Sequence, residues 1–405
     1  MQYALVILDG ASGDPVDAFG GQTTFEASTT PHLDRLAQAG TIGLMQNVPE
    51  GRESCSDVAC LSLAGYDPQA FPIGRGAIEG AALGIDLKPG QVACRLNLCH
   101  VEDGVMKLYS TDNIATEESH ALARELKAAL DDTVFELHLG TSFRHILVIN
   151  GHPELMDLSY ETPHDNTGLD ITEAYKPKAT NDEGQVGVDL LVDYISRANE
   201  VLAKSPNNAR RASEGLPTAN FVWIFWPGMR PSSLPTFNAA YHKTSAMNSA
   251  VDLLDGIALL TGMKTYKFKG VTDGPNNDFA AQGQGGIQML EDGADVVIIH
   301  VEAPDAAGHD GRPDEKKNGI EQSDALILGP LATYAEAHPL RIAVMPDHPT
   351  PLTTRKHSYE PVPFVVAGPG VVHNGGTRLT EAQAKAAGIM VDPGWKFMAD
   401  YLLAE

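Results

Sequence analysis

The sequence predicts an α/β protein: a largely parallel sheet flanked by helices, interrupted by an inserted α+β domain. Three observations predict it. Short apolar runs recur at residues 3–8, 294–301, 341–345 and 362–367, as strands covered on both faces do. Helical patterns separate them, at 246–260 and 318–336, and strands alternating with helices indicate a parallel sheet. The middle of the chain follows another rhythm, of strand pairs and single helices.

Each element has its own signal. Tyr3–Leu8 is an apolar run closed by Asp9-Gly10, the first strand. Thr30 is placed to cap a helix that Pro31 opens and Gly40 ends. Ser54 to Asp57 reads as a helix start, with Val58, Leu61 and Leu63 supplying an apolar face. Residues 91–98 and 105–109 form a hairpin around Glu102-Asp103-Gly104. A helix over 116–130 follows, then strands at 134–138 and 144–149. The stretch 176–187 is polar and turn-rich, 189–203 is helical, 205–217 is a loop and 221–226 a strand. Pieces of the parallel core lie on both sides of this region. The expected division is therefore a core of residues 1–75 and 236–405 with an insertion at 76–235.

Composition limits the function. The 405 residues carry 29 Lys+Arg against 53 Asp+Glu, a formal charge of −24. Such a surface excludes general binding to nucleic acid or an anionic membrane. It does not exclude an anionic substrate, because a few arginines and metal ions reverse the field inside a pocket. No run of about 18 apolar residues occurs, so no transmembrane helix is expected. The N-terminus lacks a basic region and a small-residue cleavage site, so the chain is expected in the cytoplasm. Cys55, Cys60, Cys94 and Cys99 form no Cys-x-x-Cys motif and read as small, half-buried residues of a reducing compartment.

The chemistry lies in Asp and His residues scattered at strand ends. Asp9 follows the first strand, and Asp305 and His309 follow the run at 294–301. Asp347-His348 follows the run at 341–345, and His357 lies in the next loop. Ligands of open α/β sheets sit beyond the carboxyl ends of the strands, where these residues would converge. One Asp there is ordinarily a cap or turn residue, and one His a surface or core residue. Three carboxylates and three imidazoles together would repel or desolvate badly without cations. A mixed His and carboxylate set suits Mn²⁺ or Zn²⁺ better than Mg²⁺. Ser56 would stand at a helix N-terminus, where N–H groups and the dipole favour anions. Beside a divalent ion such a serine can attack phosphorus; otherwise Ser54 or Ser56 is simply a cap.

Taken together, LDGASGDP (8–15), TTPHLDRLAQAG (29–40), SDVACLSLAGYDP (56–68), IGRGAIEGAALGI (73–85), VEAPDAAGHDG (301–311), PDHPTP (346–351) and the loop holding His357 span nearly the whole chain. With them the sequence resembles the archaeal-type cofactor-independent phosphoglycerate mutases of the alkaline phosphatase superfamily. The resemblance implies an alkaline-phosphatase-like core, two divalent metal ions and no bisphosphoglycerate. One ion would take Asp305, His309 and His357, and the other Asp9, Ser56, Asp347 and His348. Mn²⁺ is the first expectation, with Zn²⁺, Co²⁺ or Mg²⁺ possible. Ser56 Oγ would attack 3-phosphoglycerate, form a phosphoserine, and return the phosphoryl group to the 2-hydroxyl of trapped glycerate, a glycolytic isomerisation. Arg144 and Arg230, with Arg75 third, would clamp the small phosphorylated substrate.

The chain also departs from the family. A Gly-His pair is replaced by Asp112-Asn113, leaving Asp112 as the candidate general base. Cys60 stands for an asparagine, Lys243-Thr244-Ser245-Ala246 for a Lys-Gly-Ala stretch, and Trp226-Pro227-Gly228-Met229-Arg230 for an aromatic-Gly-Gln-Gly-Arg stretch. A related phosphotransferase or phosphohydrolase on another small alcohol, as in a homoserine kinase-like branch, is the alternative. A non-catalytic metal-binding protein is the third reading.

Overall fold

The computed structural model describes residues 1–52 and 54–404. They form two compact units, Met1–Phe71 with the chain from Ser233 onward, and Pro72–Ser232. The first unit begins with strands β1 (Gln2–Leu8) and β2 (Thr41–Met45). The second holds β3 (Gln91–Glu102), β4 (Val105–Leu108), β5 (Phe135–His138), β6 (Arg144–Asn150), β7 (Leu158–Ser159), β8 (Lys178–Ala179) and β9 (Phe221–Gly228). The chain returns to the first unit with β10 (Ser245–Asn248), β11 (Lys264–Tyr266), β12 (Val296–Val301), β13 (Leu340–Met345), β14 (Val362–Ala367) and β15 (Met390–Val391).

The first unit is built on an eight-stranded sheet in the order β11-β10-β12-β1-β13-β14-β2-β15. β1 lies between β12 and β13, parallel to both. Apart from Gln2 all three are buried along their length, as their sequences, apolar but for Gln2, His300 and Arg341, require. Ala4, Val6 and Leu8 join Val297, Ile299, Ile342 and Val344 in one core with helical residues such as Leu33, Met289 and Leu331. The sheet is largely parallel, as expected, with one reversal: β14 runs antiparallel to both β13 and β2. That reversal gathers the site. Asp9, Asp305 and His348 follow the carboxyl ends of β1, β12 and β13. His357 precedes a reversed strand, so it arrives at the same edge. β2 again runs with β1, so the segment from Met45 toward Ser56 leaves from that edge too.

In the second unit, β9-β3-β6-β5 form an antiparallel sheet, with β4 on the far end of β3. Val92, Cys94, Leu96 and Leu98 of β3 face a core shared with the helices Thr116–Leu130 and Gly184–Ala203. Strand alternation turns Arg95 and Asn97 to the opposite face.

Several expectations need correction. Residues 246–260 are not one helix: β10 comes first and the helix spans Asp252–Leu260. The expected loop at 205–217 contains a helix, Pro206–Ser213, opened by the Ser205 side chain accepting from Asn208 N–H. Thr30 makes no side-chain cap for the helix Pro31–Ala39. Asp324, from a distant part of the chain, does this instead, accepting from Leu33 N–H at 2.7 Å and His32 N–H at 3.2 Å. Cys60, Cys94 and Cys99 are fully buried rather than half-buried.

Candidate active site

Residues are brought together at the carboxyl edge of the large sheet in two adjoining groups. Asp305, His309 and His357 place one donor atom each within 4.8 Å of one another, as do Asp9, Asp347 and His348. Asp305 and His309 are one turn apart on the helix Ala303–Asp310, so both side chains lie on one face. The groups touch: the His348 and His357 rings stack with centroids 3.8 Å apart. Gly10, at φ +59°, permits this closeness, because a Cβ there would strike the Asp305 carboxylate and the Thr350 hydroxyl.

Ser56 is the first residue of the helix Ser56–Leu63, preceded by Cys55 in extended conformation. Its Oγ lies 3.1 Å from His348 Nε2. His348 Nε2 is in turn 3.2 Å from Asp347 Oδ2 and 3.7 Å from Asp9 Oδ1. The serine hydroxyl thus stands at a helix N-terminus and beside the second group.

Hydrogen-bond geometry says what the site can hold. His309 Nδ1 faces the Arg355 carbonyl at 2.9 Å, and His357 Nδ1 faces the Ser54 carbonyl at 3.1 Å. A carbonyl only accepts, so both Nδ1 atoms carry a proton and the Nε2 atoms are the ones turned toward Asp305. Those Nε2 atoms lie 2.9 Å apart, and 3.2 and 3.6 Å from Asp305 oxygens. Asp305 and the two Nε2 atoms thus converge on one point, where either a shared proton or a divalent cation satisfies them. In the second group Asp9 Oδ1 is buried with no hydrogen-bond partner. The donor set, three imidazoles and three carboxylates, fits a borderline or hard divalent ion.

Protonation follows the same strain. Burial and the nearby Asp347, Glu302 and Asp305 carboxylates hold Asp9 well above the usual carboxylate range. Burial, then Asp305, lifts Glu302 to about 8. Burial pushes Asp305 up, but hydrogen bonds from His309 and His357 outweigh it and hold it well below its ordinary value. The Asp305 carboxylate raises His309 to about 9, so below that pH a proton stands where a cation would.

Sequence reasoning missed several participants. His300 donates to Asp9 Oδ2 at 2.7 Å and faces Ser249 Oγ at 3.0 Å, and burial lowers its pKa to about 4. Thr350 Oγ1 hydrogen-bonds Asp305. Lys316 is completely buried, its ammonium held by the carbonyls of Thr350 at 2.6 Å and Ser12 at 3.2 Å. Cys60 Sγ donates to Asp347 Oδ2 at 3.6 Å. Only His300 had a readable signal: an imidazole inside an otherwise apolar strand, two residues before Glu302.

The arginines lie in the second unit. Arg75 packs 4.2 Å over the Trp226 ring and pairs with Glu79 at 2.9 Å. Arg95, which the sequence reading passed over, is nearly buried and reaches both Glu79 oxygens at 2.7 and 2.8 Å. Burial lowers Arg95 against the pull of Glu79, and the Arg144 and Arg75 charges add to that lowering. Arg144 is exposed and rests over Phe143. Arg230 is also exposed and pairs with Asp86 at 3.8 Å. Asp112 is exposed in a run of three left-handed residues, Thr111, Asp112 and Asn113, with φ of 49°, 57° and 50°. Such backbone costs energy in non-glycine residues and clusters at functional sites.

Comparison with known proteins gives a consistent result. A family model described as 2,3-bisphosphoglycerate-independent phosphoglycerate mutase matches residues 37–208. The chain is 38% identical over 372 residues to the Methanosarcina barkeri protein of that name, with 90% of each chain covered. It is 35% identical over 405 residues to a probable 2,3-bisphosphoglycerate-independent phosphoglycerate mutase of Geobacter sulfurreducens, with 98% of each covered. A solved Pyrococcus horikoshii protein superposes with a TM-score of 0.82 at 28% identity, over 98% of this chain and 96% of that one. The cofactor-independent phosphoglycerate mutase of Thermoplasma acidophilum shares the fold, with a TM-score of 0.71 at 24% identity over 99% and 98% of the two chains.

Proposed function

The chain belongs to the family of 2,3-bisphosphoglycerate-independent phosphoglycerate mutases, and on that premise we propose that it interconverts 3-phosphoglycerate and 2-phosphoglycerate through a phosphoserine at Ser56. The observation that carries the chemistry is the convergence of the His309 and His357 Nε2 atoms, 2.9 Å apart, on the Asp305 carboxylate. Asp305, His309 and His357 would hold one divalent ion, and Asp9, Ser56, Asp347 and His348 a second. Mn²⁺ suits this nitrogen and oxygen set best, and Zn²⁺, Co²⁺ and Mg²⁺ are the other candidates. Bound there, the ions would neutralise charge on the phosphoryl oxygens and on the serine oxygen.

The protein's own groups do the rest. Ser56 Oγ, which would stand as the alkoxide in the metal-loaded enzyme, bonds to phosphorus as the bond to the 3-oxygen of glycerate breaks, and is released again as the alkoxide when the phosphoryl group leaves for the 2-oxygen. Backbone N–H groups at the start of the helix Ser56–Leu63 favour the phosphoryl charge. One proton goes to the departing 3-oxygen and one leaves the 2-hydroxyl. We assign this exchange to Asp112. Arg144, Arg75 and Arg95 are assigned to the substrate's anionic groups: three guanidinium groups against the single Glu79 carboxylate leave an excess of positive charge. Arg230 is assigned to the same role. A cytoplasmic location suits this reading.

The test is turnover of 3-phosphoglycerate with each divalent metal and no bisphosphoglycerate, with product followed through enolase. Formation of 2-phosphoglycerate is the expected result. Release of inorganic phosphate without isomerisation, or no reaction with any metal, contradicts the proposal.

A further inference from the structure

Asp9 uses its two carboxylate oxygens differently. Oδ2 accepts from His300 Nε2 at 2.7 Å, while Oδ1 is buried and without a hydrogen-bond partner. We propose that His300, set by Ser249, is a positioning residue that fixes Asp9 as a one-oxygen ligand and leaves Oδ1 for the cation shared with Asp347 and His348. The inference rests on the metal reading above and deepens it.

The sheet brings these side chains together. His300 lies on β12 opposite Ile7 of β1, two residues before Asp9. The direction of each hydrogen bond can be worked out. Asp9 as a ligating carboxylate only accepts, so His300 Nε2 donates to it; Ser249 Oγ, which accepts from Val251 N–H at 3.0 Å, turns its one hydroxyl proton to His300 Nδ1, also at 3.0 Å. Nδ1 therefore accepts, and the ring proton sits on Nε2, aimed at Asp9 Oδ2. Both Ser249 and His300 are essentially without solvent contact, so the ring has no water to exchange with. The chain has outer supports. The Ser249 carbonyl accepts from Lys267 Nζ at 2.9 Å, and Lys267 is paired with Asp255. The His300 carbonyl accepts from Gln282 Nε2 at 2.7 Å. Outer partners of this type orient ligating groups and tune metal affinity.

One competing arrangement has to be separated. Glu302 Oε2 lies 3.7 Å from His300 Nε2, and Asp9, His300 and Glu302 could themselves surround an ion. In that case His300 would be a ligand and not a positioning residue.

The experiment titrates the full-length, metal-stripped protein with Mn²⁺ by calorimetry and counts ions bound at saturation. The variants are His300→Phe, which removes the donor, His300→Gln, which restores an N–H, and Ser249→Ala. Asp9→Asn is the control on the metal reading. The expected result is a loss of about 10–100-fold in affinity at one site for His300→Phe and a smaller loss for Ser249→Ala. The number of bound ions should stay unchanged, and His300→Gln should recover most of the affinity. Unchanged affinity in His300→Phe and Ser249→Ala, with Asp9→Asn strongly weakened, overturns this inference and leaves the metal reading standing. Unchanged affinity in Asp9→Asn overturns both. One ion fewer at saturation in His300→Phe makes His300 a ligand and overturns the positioning role. If His300→Phe does not fold, Ser249→Ala and His300→Gln decide between these results.

Discussion

Ser56 Oγ is one hydroxyl placed 3.1 Å from His348 Nε2, and its position makes it replaceable without harm to the fold. Ser56→Ala should abolish turnover and phosphoenzyme while leaving bound metal nearly unchanged, checked by coupled assay and metal analysis. Arg144 offers a second test at this scale. It is exposed, so Arg144→Ala should fold normally; losing a charge-assisted bond of about 1.5–3 kcal/mol should cut kcat/KM by roughly 10–100-fold. Arg230→Ala, at a guanidinium already paired with Asp86, should cost less. Ser56 and most of the candidate metal ligands were legible in the sequence because they follow an apolar run or open a helix, and His357 came with the family resemblance. Arg95 was not singled out, although the alternation of Val92, Cys94, Leu96 and Leu98 already turns it away from their core. Its partner Glu79 lies sixteen residues earlier, on a helix whose packing no local pattern reveals. Thr350 and Lys316 were harder still, since their roles consist of contacts to Asp305 and to backbone carbonyls supplied by other segments.

At the scale of elements, the long apolar strands were readable, as were the short β4 beside its turn signal and β5, whereas β2, β10 and β11 were not. β10 and β11 have four and three residues, too few for a period to show. β2, with a glycine at its centre, offers little apolar pattern. Ser205-Pro206 is a helix start by residue type, but the polar residues after it masked the helix. Two caps allow tests. Ser205→Ala should destabilise the second unit by about 1 kcal/mol, and Asp324→Ala the first by about 1–2 kcal/mol. Both are read as lowered unfolding midpoints with unchanged metal content. The Asp324 cap shows why a helix boundary can be right while its cause is wrong. Thr30 is the local candidate, but the acceptor that meets the helix N–H groups comes from almost three hundred residues away.

For the whole molecule, the reversed strand β14 is what lets residues from five segments meet at one edge of one sheet. No sequence pattern distinguishes a reversed buried strand from a parallel one, so the expectation that these acids and histidines meet came from residue types and the family resemblance. The cluster also links metal, protons and stability. His309 is raised from an ordinary 6.5 to about 9 and Glu302 from 4.5 to about 8, so each favours the folded, metal-free state only while protonated. The metal-free protein should therefore lose stability as pH rises from about 4.5 through 9, and saturating Mn²⁺ should suppress that loss. Thermal melts across this range, with and without metal, check it; parallel pH profiles would count against the cluster as a cation site. Chelation at pH 8 should likewise lower the melting temperature. The most direct test of the central claim is to quench the enzyme during turnover with 3-phosphoglycerate and locate the phosphoryl group by peptide mass analysis. The account predicts it on Ser56, formed only with divalent metal and absent from Ser56→Ala. Phosphoryl transfer that proceeds with Ser56 unmodified, or that survives in the alanine variant, would contradict it.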